Sequence, residues 1–190
     1  MDQKNTLDLM KRLSLSMFRK SFFGIYHGSL SARISLTKFT INKKDAIFDG
    51  LQDKDFITID EKRDYKWDEA SIDSEIHLNI YKTIYEAKFI AFAMPPNTVA
   101  YSLNHDYIMP DDYFGKMHFS KIKIYDPKNM DDWYERAPYE ISKTMIKNRI
   151  NFLIIRGYGI VLHSRSLNEL AKTVALIDNS VKILQHKALS

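Results

Sequence analysis

The stretch that opens at Ser166 does most to limit the folds open to this chain. Leu167, Leu170, Val174, Ile177, Val181 and Leu184 recur at three- and four-residue spacing and lay one apolar stripe along a helix. Ser166 and Glu169 have the spacing of a capping box at its start. So long a stripe must be buried against an extended apolar surface, and the chain supplies that surface in short pieces. Runs at 32–36, 39–41, 56–59, 89–92, 119–125, 152–155 and 160–163 read as strands. Three further helices are predicted at 5–22, 72–86 and 138–148, and a short one at 97–104. Leu7, Met10, Leu13 and Met17 mark the first; Ile76, Ile80 and Ile84 mark the second; Pro138 opens the third. Residues 45–55 read as a polar turn region with Phe48 and Leu51 as buried anchors, and 60–71 as a charged surface loop. Helices and strands are interleaved, and several strands are neighbours in sequence. The class is α/β: a sheet of mixed direction with helices on both faces.

Nothing divides the chain. It has no internal repeat, low-complexity tract or interdomain linker, so residues 1–190 read as one domain. Basic and acidic residues number 28 and 24 and are interspersed, which gives no nucleic-acid surface. There are no cysteines, hence no disulfide and no thiolate metal site. No apolar run approaches the roughly 18 residues of a membrane span, and 1–20 lacks a continuous signal-peptide core. The expectation is a cytoplasmic protein that does not enter membranes.

Four patches carry chemical meaning by their order. The first is Gly28-Ser29-Leu30-Ser31-Ala32-Arg33. The second is Ser74-Glu75, just before His77-Leu78-Asn79-Ile80-Tyr81. The third is Phe92-Ala93-Met94-Pro95-Pro96. The fourth is Arg156-Gly157-Tyr158-Gly159, followed by Ser166-Leu167-Asn168-Glu169-Leu170-Ala171. Together they resemble the class II aldolase/adducin family, with its Gly-Asn-x-Ser-x-Arg turn, Ser-Ser-Glu before a His-x-x-Ile-Tyr helix, His-x-His-x-Pro, and Asn-His-Gly before a Ser-Leu-x-Glu-Ala helix. The resemblance implies a single-domain, three-layer αβα fold with a mainly antiparallel central sheet. It also implies a homotetramer with sites between subunits. In active members a zinc ion binds the enediolate of a sugar phosphate, a glutamate moves a proton, and the Gly-Asn turn, a Thr/Ser-Gly turn and the Ser-Ser pair hold the phosphate.

Carried over residue by residue, the metal site is empty of ligands. Its three histidine positions hold Phe92, Met94 and Tyr158. Zinc takes imidazole, thiolate or carboxylate; a phenyl ring donates nothing and a thioether suits softer metals. The expected cofactor is therefore none. Glu75 falls at the catalytic position, or is a first-turn glutamate favoured by the helix dipole. Gly28, Ser29, Ser31, Arg33 and Ser74 are the candidate anion-binding set, with a phosphorylated sugar as ligand; the same turn can instead simply feed a strand. The second phosphate turn falls at 42–45, where Asp45 would repel a phosphate and Lys43 and Lys44 offset it. Tyr158 could donate to a ligand oxygen, and Arg156 could pair with an anion or with a carboxylate across a subunit boundary. No close pair of histidines offers another metal site by spacing. The expected protein keeps the fold, lacks zinc aldolase activity and serves as a binding or structural module. The alternative is a sugar-phosphate aldolase or epimerase with a relocated or absent metal.

Overall fold

Strand β4 (Phe89–Ala93) is apolar at every position and buried at every position. A strand buried on both faces needs a layer on each side, and the computed structural model, which describes residues 3–25 and 27–189, supplies both. Antiparallel β1 (Ser29–Arg33) and β8 (Gly159–Ser164) flank β4. The sheet extends through β2 (Lys38–Asn42) and β3 (Phe56–Asp60) on one side. On the other it runs through β7 (Phe152–Ile155), β6 (Ile122–Tyr125) and the two-residue β5 (Tyr107–Ile108), in the order β3-β2-β1-β4-β8-β7-β6-β5. Among the described residues only β6 and β7 pair in parallel.

Alternation along β4 sorts the two cores. Phe89, Ala91 and Ala93 join the stripe of α6 (Leu167–Leu189) and the buried face of α1 (Gln3–Arg19). Ile90 and Phe92 face the other way, onto α2 (Ser74–Thr83) and α5 (Trp133–Asn148). Helices α3 (Pro96–Asn104) and α4 (Tyr113–His118) pack on α6. This is the α/β, three-layer, mainly antiparallel arrangement expected. Phe48 and Leu51 are buried in the first core, as the turn-region reading required. Among the described residues no helix is long and apolar enough to cross a membrane.

The departures are local and have physical causes. β1 starts at Ser29 rather than 32, because the hydroxyls of Ser29 and Ser31 are buried by pairing with His77. α2 is shorter than 72–86. Ile72 is exposed and Asp73 is the N-cap; at the far end the Arg33 guanidinium takes the carbonyls of Tyr81, Ile84 and Tyr85. α5 begins at Trp133, five residues before Pro138. Trp133 is fully buried, and Arg136 pairs with Asp132 and Glu140 across that turn, which holds it despite the backbone bond that proline cannot make. The strand expected at 119–125 is limited to β6, since Phe119 is the C-cap of α4. β5, α4 and the short 3-10 turn at Tyr65–Asp68 are additions to the expected elements; none is long enough to show a period.

Candidate functional site

At the end of the sheet where β1 begins and β4 ends, a cleft of about 560 Å³ opens between the N-termini of α2 and α5. Gly28, Asp73, Phe92, Met94, Tyr134 and Tyr158 line it, with His27, Lys44 and Asp45 nearer the rim. Two glycines make its backbone possible. Gly28 has φ +123°, and a Cβ there would lie 2.7 Å from the Phe23 ring and 3.2 Å from the Phe92 carbonyl oxygen. Gly159 has φ +146° and packs directly on the Ala93 carbonyl and the Phe92 ring. Both are conformations that L side chains disfavour.

Asp73 is the chemical centre. Although it is the N-cap of α2, its side chain does not cap the helix. It turns into the protein, where it is 3% exposed. Oδ2 accepts from the Ser29 hydroxyl at 2.8 Å, and Oδ1 accepts from the Tyr158 hydroxyl at 3.0 Å. Burial pushes the carboxyl above its usual range; the two hydroxyls oppose that shift. The Tyr158 hydroxyl also bonds Tyr134, which is 42% exposed at the cleft wall. Burial, and then the neighbouring Asp73 charge, push both phenols up, so both stay protonated at neutral pH.

Behind Asp73 the network continues into the core. The Ser29 hydroxyl lies 2.9 Å from His77 Nε2, Ser31 lies 2.6 Å from His77 Nδ1, and the Tyr81 hydroxyl lies 2.8 Å from Ser31. Counting hydrogens fixes the polarity. Ser29 has one proton and gives it to Asp73, so it must accept from Nε2–H. The imidazole is neutral, because burial holds its pKa down at about 3. Nδ1 is then an acceptor for Ser31, and Ser31 accepts from Tyr81. Every donor in the chain points toward the Asp73 carboxylate.

The residues singled out from the sequence divide between this cleft and other tasks. Gly28 lines the cleft, and Ser29 reaches Asp73 from below. Ser31 is wholly buried on His77, and the Ser74 hydroxyl is spent on the Ser71 carbonyl. Arg33 sits at the opposite end of β1, with its guanidinium on the end of α2 and 4.9 Å over the Tyr81 ring. The five therefore do not form one anion site: four of them are oriented by β1 and α2 toward internal partners. Glu75 points away from the cleft and pairs with Arg63 at the surface, the first-turn position the helix dipole favours. Arg156 pairs with Asp106 and Asp126 of its own chain. At 42–45, Asn42 is buried and accepts from Leu30 N, Lys43 pairs with Glu69, and Lys44 and Asp45 reach the rim.

Asp73 and Tyr134 are cleft residues outside the expected site set. The signal for Asp73 was present: it lies four residues before His77, and residues four apart share a helix face. Counting back from His77, rather than forward from the Ser-Glu pair, puts Asp73 on the inner side. Tyr134 had no signal, because the helix was not expected to reach it.

The positions corresponding to the three metal ligands come together. Phe92 stacks on Tyr158 with ring centroids 4.4 Å apart, and Met94 packs against the same core. Among the described residues no group of three or more His, Asp or Glu side chains is placed to hold a metal. A phenyl, a thioether and a phenol committed to Asp73 do not fit a zinc ion.

Comparison with known structures agrees with the fold. L-Fuculose-1-phosphate aldolase from Thermus thermophilus superposes with a TM-score of 0.82 at 19% identity, over 94% of this chain and 92% of that one. A sugar-phosphate aldolase from Thermotoga maritima gives 0.70 at 11% identity, over 96% and 94%. L-Fuculose 1-phosphate aldolase from Glaciozyma antarctica gives 0.69 at 13% identity, over 96% and 74%. No curated protein matches the chain. Residues 9–185 match the profile of the class II aldolase and adducin N-terminal domain, and the chain belongs to that family.

Proposed function

We propose that this chain is a class II aldolase-like protein that works without zinc, as a binding or structural module whose cleft takes a small polar ligand such as a phosphorylated sugar. One observation carries the reading. At the metal position a Phe92–Tyr158 stack fills the space, and the phenol hydrogen is already given to Asp73. The donors present at that position do not suit a metal ion. What the cleft offers instead is hydrogen bonding from the rim groups, with the Tyr134 hydroxyl oxygen as an acceptor, over an apolar floor of Phe48 and Phe92. A homotetramer in the cytoplasm is part of the same proposal.

The test is metal content of untagged protein purified without chelator and then offered zinc. Uptake below about a tenth of a zinc per chain is expected, and near one per chain would overturn the reading. Light scattering on the same sample tests the tetramer.

A second reading is favoured by one feature. A buried carboxyl with a raised pKa, bonded to a phenol in a cleft, is how enzymes prepare an acid or base. The protein would then be a sugar-phosphate aldolase or epimerase with an absent or relocated metal. In that case Asp73→Asn is expected to lower turnover of a sugar phosphate by about a hundredfold or more, while Glu75→Gln leaves it unchanged. No turnover above background by the unmodified protein across a panel of sugar phosphates would remove this reading.

A further inference from the structure

A second cleft, of about 670 Å³, lies at the end of the sheet where β6 and β7 begin; the C-terminal half of α5 and residues 118–125 line it, and Phe119 and Phe152 within it pack on the α6-side core. Four lysines line it and no carboxylate does. Lys121 and Lys123 come from the β6 side; Lys143 and Lys147 stand one turn apart on α5. None of the four is in an ion pair among the described residues; Lys121 lies 3.7 Å over the Tyr107 ring and Lys143 lies 5.1 Å from the Tyr139 ring. The nearest acid along α5, Glu140, is engaged by Arg136 and Tyr125.

Like charges four apart on a helix repel, and the helix C-terminus offsets part of that repulsion. It does nothing for the two lysines on the opposite wall. The floor between the walls is apolar. Phe119 and Phe152 meet edge to face at 5.5 Å, and Ile150 and Leu153 complete the surface. Cations without counter-charges around an apolar floor complement a ligand of opposite character: anionic at one end, flat and apolar at the other.

We propose that this cleft is a second ligand site, separate from the Asp73 cleft, that binds a small organic phosphate carrying an aromatic body. The phosphate sits among the ammonium groups, and the ring lies on the Phe119–Phe152 floor. Lysine serves here as a movable point charge, so the site selects for charge and for a ring rather than for one bidentate geometry.

The probe is 1-naphthyl phosphate, titrated by calorimetry at low ionic strength into the full chain. Saturable binding at one per chain is expected. The Lys143→Gln/Lys147→Gln and Lys121→Gln/Lys123→Gln double variants should each weaken it by about tenfold or more. Because all four side chains are exposed, these variants should keep the parent melting temperature. Asp73→Asn should leave the affinity unchanged, which separates this site from the first cleft. The proposal is overturned by absence of saturable binding, by both double variants keeping the parent affinity, or by inorganic phosphate binding as tightly as the aryl phosphate. The last result would leave a general cationic surface with no use for the floor.

Discussion

Replacing Gly159 by alanine is expected to destabilise the fold by about 3 kcal/mol or more. The residue opens β8 at φ +146°, a region in which L side chains are strained whatever the space. Space is also lacking. The new methyl would lie inside contact distance of the Ala93 carbonyl oxygen and 2.9 Å from Cε2 of Phe92. Ala93 pairs with Ile160 in the central ladder, so its carbonyl cannot move without disturbing β4 against β8. Gly50 is the control: it too has positive φ, +116°, but nothing lies within 4 Å of its added Cβ. Gly50→Ala should cost about 1 kcal/mol, the conformational part alone. Urea denaturation of the two variants measures the difference. A Gly159 variant that loses no more than the Gly50 variant would show that the close approach to β4 has no energetic weight.

Burial that follows a local period is legible in the sequence, and burial that depends on distant polar partners is not. The stripe from Leu167 to Leu184 and the apolar run of β4 announce a helix and a doubly buried strand, because burial imposes their patterns directly. The cleft is written differently. Ser29, Ser31 and His77 are polar residues that a pattern reader places at the surface or in a turn; they are buried because each satisfies the others. That satisfaction joins residues 46 and 48 apart in sequence, beyond any local period. The loss of the metal donors could be read from residue type alone, since no fold converts Phe92 into a ligand. Which carboxylate faces the cleft could not be read so simply. It depends on where α2 starts, and helix ends are where sequence patterns are least defined. Asp73 and Glu75 differ by two residues, which is enough to place one inside and the other on Arg63.

Acid should unfold this protein through His77, and His77→Gln should remove much of that sensitivity. The ring is wholly buried and neutral, with its pKa held at about 3 against 6.5 for the free group. A base whose folded pKa is depressed binds fewer protons in the native state than in the unfolded one across that interval. Stability from His77 is therefore complete above about pH 6.5 and falls as pH drops toward 3. At ~1.4 kcal/mol per pH unit the loss reaches about 4 to 5 kcal/mol. His163 is shifted the same way by burial and adds to the slope. Asp73 acts in the opposite sense. Its folded pKa is raised, so the native state takes up its proton first, and stability rises as pH falls from that raised value toward the unfolded 3.8. The parent curve is thus a partial cancellation, and Asp73→Asn should make acid destabilisation steeper. Gln at position 77 keeps a donor for Ser29 and has no charge to acquire. Its variant should start lower at neutral pH, by about 1 to 2 kcal/mol, because one contact to Ser31 or Ser29 is lost, but should have the flattest acid limb of the three. Denaturant midpoints from pH 7 to pH 4 give the comparison. Should the Gln variant not fold, nitrogen NMR of the parent imidazole decides instead: a neutral Nε2–H ring persisting to about pH 4 is expected, and titration of that ring near 6.5 would overturn both the linkage and the hydrogen-bond polarity assigned to Ser29 and Asp73.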